Sequence, residues 1–437
     1  MTQTATHPYI EALLQHSRSL PQSPAGWLDA RRARALERAN ALTVPTTRDE
    51  EWRFTDITPL TKIRFQPPRD ATRPASADIG CFVVPEAGVR LVFVDGVFAP
   101  ELSALAGLPA GVAVSTLAEG IRTRSALLEK HLAQHAAFDD DVFVALNTVY
   151  LRDGAMVTVA GNHACAAAVH LLFIATHNEV VAYPRCLVVA ENGAECTVVE
   201  DYVSLADGVY FNNVVTEIAV GANARVRHVR LQRESPNAFH IASCAVTLGK
   251  DAAYLSHTVA LGARISRYNL GVAQDGEGAE ARIDGLALIS GRQLADTHTL
   301  VSHNRPNGRS VQLHKTIVGG AAHAVFNGKV LVREGAQLTD SAQQSRSLLL
   351  SGKAHVDIKP QLEIFADDVK CSHGATVGQL DAEQLFYLRS RGLAEGKARN
   401  LLTYAFGAEI IDRIPLPSLV RRLEQTVMEQ TQGGMMP

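Results

Sequence analysis

The stretch Asp367-Asp-Val-Lys-Cys-Ser-His-Gly374 gathers the densest ligating chemistry of the chain. Cys371 and His373 are two residues apart, and in an extended strand such residues face the same side, so a thiolate and an imidazole would be presented together. That donor pair suits iron, copper or zinc. Two ligands do not hold an iron–sulfur cluster, which takes about four; the others would have to come from elsewhere in the fold or from another chain. On residue type alone, a single Cys-x-His is more often structural than ligating. Asp367 and Asp368 raise the possibility of the paired carboxylates of a glycoside-cleaving β-helix, but adjacent strand residues point to opposite faces, and a solvated turn is the plainer reading.

Other chemistry is sparse. Of the 16 histidines, His298, His303, His314, His323 and His355 fall in the β-rich body. A histidine track along stacked coils could pass metal or persulfide sulfur, although scattered surface histidines account for the pattern more simply. Gly249-Lys250, Gly328-Lys329 and Gly352-Lys353 are not followed by Ser or Thr, and no phosphate-cradling loop precedes them, so no P-loop nucleotide site is expected. No serine elbow, HExxH or dinucleotide fingerprint occurs. The six cysteines (Cys81, Cys165, Cys186, Cys196, Cys244 and Cys371) form no CxxC pair, which fits buried small side chains better than a disulfide scaffold or a self-contained metal site.

Composition narrows the class. A formal charge of -3 over 437 residues leaves no footprint for nucleic acid or an anionic membrane. The longest apolar stretch, 164–175, is broken by His170 and falls short of the roughly 20 residues of a membrane span. The N-terminal residues lack a signal peptide's apolar core, so a cytoplasmic protein is expected.

The elements that must position Cys371 and His373 divide the chain into three. Residues 1–141 read as a helical or mixed domain: Pro8 opens one helical pattern, 28–42 forms another, and Leu91-Val-Phe-Val94 reads as a strand before an Asp95-Gly96 turn. Across 142–380 short β runs alternate with turns. Around residue 257, Leu255, His257, Val259 and Leu261 fall on one face and Tyr254, Ser256 and Thr258 on the other. Turn signals at Gly193, Gly221, Gly249, Gly278, Asn307 and Gly335 are separated by 28, 28, 29, 29 and 28 residues. Such a period marks a repeat architecture, and with strands in place of helices the natural body is a β-helix. A β-sandwich competes, and the off-phase pairs Gly262-Ala263, Gly320-Ala321 and Gly374-Ala375 weaken the period. Residues 381–437 return to helix: Asp381 with Gln384 resembles a capping box, Gly392 suits a helix stop, helices are expected over 394–412 and 419–430, and the tail 433–437 is expected to fray.

The run from Ile358 to Asp381, with Gln384–Gly392, Tyr404–Glu409, Ser302-His303, Leu313-His-Lys315 and Glu51-Trp-Arg53, resembles the SufB/SufD family of the SUF iron–sulfur assembly machinery over nearly the whole chain. The resemblance implies a mainly β protein, a right-handed parallel β-helix flanked by helical domains. It implies pairing with SufB through the β-helix end and docking of the ATPase SufC on the C-terminal helices, where Leu385, Phe386, Tyr387, Leu388, Arg389 and Arg391 match the docking region. It points to His373, and less strongly to Cys371, as ligands of a transient cluster at the SufB interface. Ser372 and Gly374 flank His373 where the B-type subunit carries glutamates, which favours the D-type branch. The implied role is a non-enzymatic scaffold, with ATP chemistry on the partner. A β-helix carbohydrate-active enzyme, or a self-associating structural protein that homodimerises through its open strand edges, is the rival reading.

Overall fold

The computed structural model describes residues 7–68 and 73–432; the tail 433–437, expected to fray, lies outside them. Among the described residues two ten-stranded sheets face each other, and successive strands of the body alternate between them. Strands within each sheet of the body run parallel: 225–233 lies between 195–204 and 253–260 in one sheet, and 239–248 between 211–220 and 265–274 in the other. This is a parallel β-helix in which each coil contributes one strand to each sheet. Arg225 pairs with Ala253, Ala253 with Glu280 and Glu280 with Arg309, so coil length follows the glycine period.

That period has a local cause. Asn162, Gly193, Asn223, Asp251, Gly278, Asn307 and Leu338 all have positive φ, one to each coil. Each donates its backbone N–H to the next coil: Gly193 to Ala222, Asn223 to Lys250, Asp251 to Glu277, Gly278 to Pro306, Asn307 to Gln337 and Leu338 to Asp368. Gly, Asn and Asp tolerate this left-handed geometry best, which is why they recur. Two of the off-phase pairs belong to a second corner, where Ala263, Gly291 and Gly320 also have positive φ; the third, Gly374-Ala375, lies within the strand Val369–Gly378. Two corners per coil therefore superimpose two turn signals.

The sheets begin before residue 142. Ala87–Val94 pairs in parallel with Ala168–Ala175, and Val112–Thr116 pairs antiparallel with Ala155–Val159. Asp95 and Gly96, both at positive φ, turn the first of these strands back onto Val97–Phe98.

Alternation separates the interior from the outer faces. Tyr254 joins the apolar interior, while Val259 and Leu261 pack outward beneath Ile410, Ile411 and Leu419 of the C-terminal helices. Phe93, Phe173 and Tyr202 stack inside at 5.1 and 4.9 Å. The outer face of the second sheet is covered by N-terminal elements: Phe143 and Phe65 meet Phe211, and Trp52 lies over the Arg267 guanidinium at 3.9 Å. The outer face of the first is covered by Glu395–Ile411 and Pro417–Gln432, fixed by Lys315 to Glu409 at 2.5 Å and Arg413 to Asp284 at 2.7 Å.

One buried ion pair ties the N-terminal segment to the coils. Glu217, fully buried, accepts the backbone N–H groups of Ala133, Gln134, His135 and Ala136 and meets Arg185 Nη2 at 2.5 Å. Burial opposes its charge, yet Arg185 and the N–H donors hold the carboxyl below its usual range. With the folded-state value depressed, this contribution is full above the ordinary carboxyl value and is lost as pH falls through the folded one. Arg185→Met strands a buried carboxylate and should cost about 3–5 kcal/mol in urea unfolding. Arg185→Met with Glu217→Gln should recover part of that loss; an equal or larger loss in the double variant would contradict the assignment.

Candidate functional site

The last coil consists of His355–Ile364 and Val369–Gly378, which are the terminal strands of the two sheets. Val369–Gly378 pairs on one side only, placing Cys371 opposite Ser341 and His373 opposite Gln343. Ser341, Gln343, Ser345 and Ser347 are buried, whereas the residues between them are half-buried or exposed. Cys371 and His373 thus continue the inward-facing columns Ser310–Ser341–Cys371 and Gln312–Gln343–His373. They point into the mouth of the solenoid and would be buried if one more coil followed. His373 is exposed and Cys371 half-buried.

The strand brings the two residues to the same side, and the fold adds no third donor: among the described residues neither belongs to a cluster of three His, Cys, Asp or Glu ligand atoms. Burial, followed by the Asp340 carboxylate, raises the Cys371 thiol above its ordinary value, so at neutral pH it is a thiol that a cation must deprotonate before it can ligate. Asp367 and Asp368 lie on an exposed turn before the strand.

The rim is apolar and open. Phe365 is 61% and Val377 52% exposed. Just beyond, Asp381 Oδ1 caps Ala382–Ser390 by accepting from the N–H groups of Glu383 and Gln384 at 2.8 and 3.1 Å. Gly392, at φ +93°, closes this helix, with its own N–H donating to Arg389 and that of Leu393 to Leu388. No residue of this helix is buried: Phe386 is 73% and Tyr387 56% exposed, and Leu385 and Leu388 are half-buried. Arg391 lies over the Tyr387 ring at 5.1 Å, and Arg389 meets Glu395 at 3.4 Å.

The histidines do not form one track. His303 and His314 lie inside the coils, where burial lowers them to about 4 and about 3, so they are neutral. His298 faces outward and is held by Asp296 at 2.9 Å and Glu51 at 3.2 Å. That contact gives Glu51-Trp52-Arg53 a docking role: Glu51 meets His298, its carbonyl accepts from Arg267, and Trp52 covers that guanidinium. His323 and His355 also face outward, beside Asp357; 32 positions separate the two histidines in sequence, and only the strand register shows that they are neighbours. Cys165, Cys186, Cys196 and Cys244 are buried, and burial pushes Cys196 and Cys244 up to about 12.

The fold and its open end define a β-solenoid whose last coil is unfinished and presents a thiol and an imidazole at its mouth. Two family models match the chain: the SUF system FeS cluster assembly SufBD core domain over residues 173–406, and the SufBD protein N-terminal region over 3–171. The chain belongs to the SufBD family of iron–sulfur cluster assembly proteins. It is 42% identical over 415 residues to an iron–sulfur cluster assembly SufBD family protein of Synechocystis sp., covering 92% of this chain and 90% of the relative. It is 35% identical over 396 residues to the iron–sulfur cluster assembly protein SufD of Escherichia coli, with 90% of each chain covered. Its identity to SufD of Bacillus subtilis is 26% over 419 residues, covering 93% of this chain and 94% of the relative.

In a Cys81→Ser background, Cys371 is the single cysteine left outside the buried set. Its alkylation by iodoacetamide in the native protein should be slow at neutral pH and still accelerating at pH 9; a rate that levels off below pH 8 would contradict the raised thiol.

Proposed function

We propose that this chain is a D-type scaffold subunit of a cytoplasmic SUF complex. It has no enzymatic activity of its own: it joins SufB at the open coil and docks SufC on the C-terminal helices. The observation that carries the reading is the unfinished coil, where two unpaired strand edges, an apolar rim and two inward-facing ligands coincide. A protein left with such edges is prone to indiscriminate pairing, and a partner with a matching coil end would satisfy the free backbone and apolar side chains together. The cluster is cargo rather than a resident group. His373, with Cys371, supplies part of its coordination, and SufB supplies the rest. Phe386 and Tyr387 are too exposed for a finished surface and suit an apolar face on SufC. Nucleotide binding and hydrolysis fall to SufC, consistent with the lack of a P-loop sequence in this chain.

Co-expression with SufB and SufC should yield an assembly with one copy each of this chain and SufB and two of SufC. His373→Ala should leave that assembly intact and lower the amount of cluster formed on reconstitution. Phe386→Asp should reduce retention of SufC while SufB stays bound. A chain that remains alone or homodimeric in the presence of both partners, or normal cluster yield on the His373→Ala complex, would overturn this reading.

A further inference from the structure

On the outer face of the second sheet, His323 and His355 are directly paired in the parallel ladder, and Asp357 lies two residues beyond His355 on the same face. One carboxylate oxygen, Asp357 Oδ2, is 2.7 Å from His323 Nε2 and 3.2 Å from His355 Nε2. The imidazole rings are 5.0 Å apart, and one ligand atom from each of the three residues lies within 4.8 Å of the others. We propose that His323, His355 and Asp357 bind a divalent transition-metal ion of the Zn2+ or Fe2+ class on the outside of the last two coils.

Two imidazole nitrogens and one carboxylate oxygen suit zinc and ferrous iron, and three protein ligands leave coordination positions open for water or an exchanging group. The positions are rigid, because both histidines sit on paired strands and the ladder fixes their spacing. Ligand atoms around a tetrahedral ion with bonds of about 2.0–2.1 Å stand about 3–3.5 Å apart; the 3.2 Å between Asp357 and His355 matches, and the 2.7 Å between Asp357 and His323 has to widen slightly to admit an ion. Lys359, next on the same face, is engaged by Glu50 at 2.6 Å. His355 is 66% exposed and gives an ion a path in from solvent. The site lies on the opposite sheet from Cys371 and His373 and faces outward, so it stands independently of the cluster reading.

The full-length chain, stripped with a chelator, is titrated with Co2+ by visible absorption and with Zn2+ by calorimetry. The wild type should bind one ion at this site. His355→Ala and Asp357→Asn should each weaken that binding by at least about 10-fold, since even an outer partner of a ligand is worth 10–100-fold. Cys371→Ser with His373→Ala should leave it unchanged. Circular dichroism melts confirm that the variants fold, and His323→Gln replaces any variant that does not. No binding by the wild type, or equal affinity in His355→Ala and Asp357→Asn, would overturn the site and leave a histidine–aspartate ion pair. Loss of the ion in the Cys371→Ser/His373→Ala chain alone would move it to the mouth of the solenoid.

Discussion

Each coil of this protein satisfies its backbone through the next one, and that dependence organises the rest of the structure. Buried N–H and C=O groups must be paired, and a parallel solenoid pairs them only by adding another coil. The left-handed corner residues make the dependence explicit, since each donates to a carbonyl one coil further on, from Gly193 to Ala222 through to Leu338 and Asp368. The run stops at 369–378. Its amides and those of 355–364 have a neighbouring strand on one side only, and the inward-facing side chains there lose their cover as well.

The interior changes character toward that end. The early coils are filled by Val, Leu, Phe and Tyr. A buried polar layer follows, in which Glu200 accepts from Tyr202 and Thr216 while His228 lies 3.2 Å away. Beyond it, Thr299 donates to Gln312, and His303 reaches Ser310, which meets Ser341. Buried polar groups cost stability unless paired, so a run of Ser, Gln and His leading to Cys371 and His373 is not what packing alone would select. It is consistent with an end whose inner wall does chemistry, while the covered outer faces combine apolar packing with ion pairs such as Arg185–Glu217 and Arg413–Asp284.

The coil repeat was legible because the corner geometry restricts residue choice. Gly193, Gly278 and Asn307 occupy the positive-φ position itself, whereas Gly221, Gly249 and Gly335 precede Asn223, Asp251 and Leu338 in the same corners, so the spacing still reports the coil length. The second corner was harder to read, since Ala263 takes positive φ there, and Leu338 does so in the first corner, although neither residue type signals it. Alternation around Tyr254 separates the two faces of that strand, and packing shows that the Tyr254 face is the inward one. The strands 87–94 and 112–116 could not be assigned to the body from sequence, because pairing across tens of residues leaves no local pattern. The His323, His355 and Asp357 group was hidden for the same reason. Cys371 and His373 were visible as a strand pair, but only the last-coil position explains why a single Cys-x-His would be useful rather than structural.

The most direct test is hydrogen–deuterium exchange on this chain alone and after mixing with SufB. Completion of the coil by the partner predicts fast exchange at the free edges of 355–364 and 369–378 in the isolated chain and strong protection of both segments in the complex, with the earlier coils unchanged. Binding that protects other surfaces while these two strands exchange as before would contradict it.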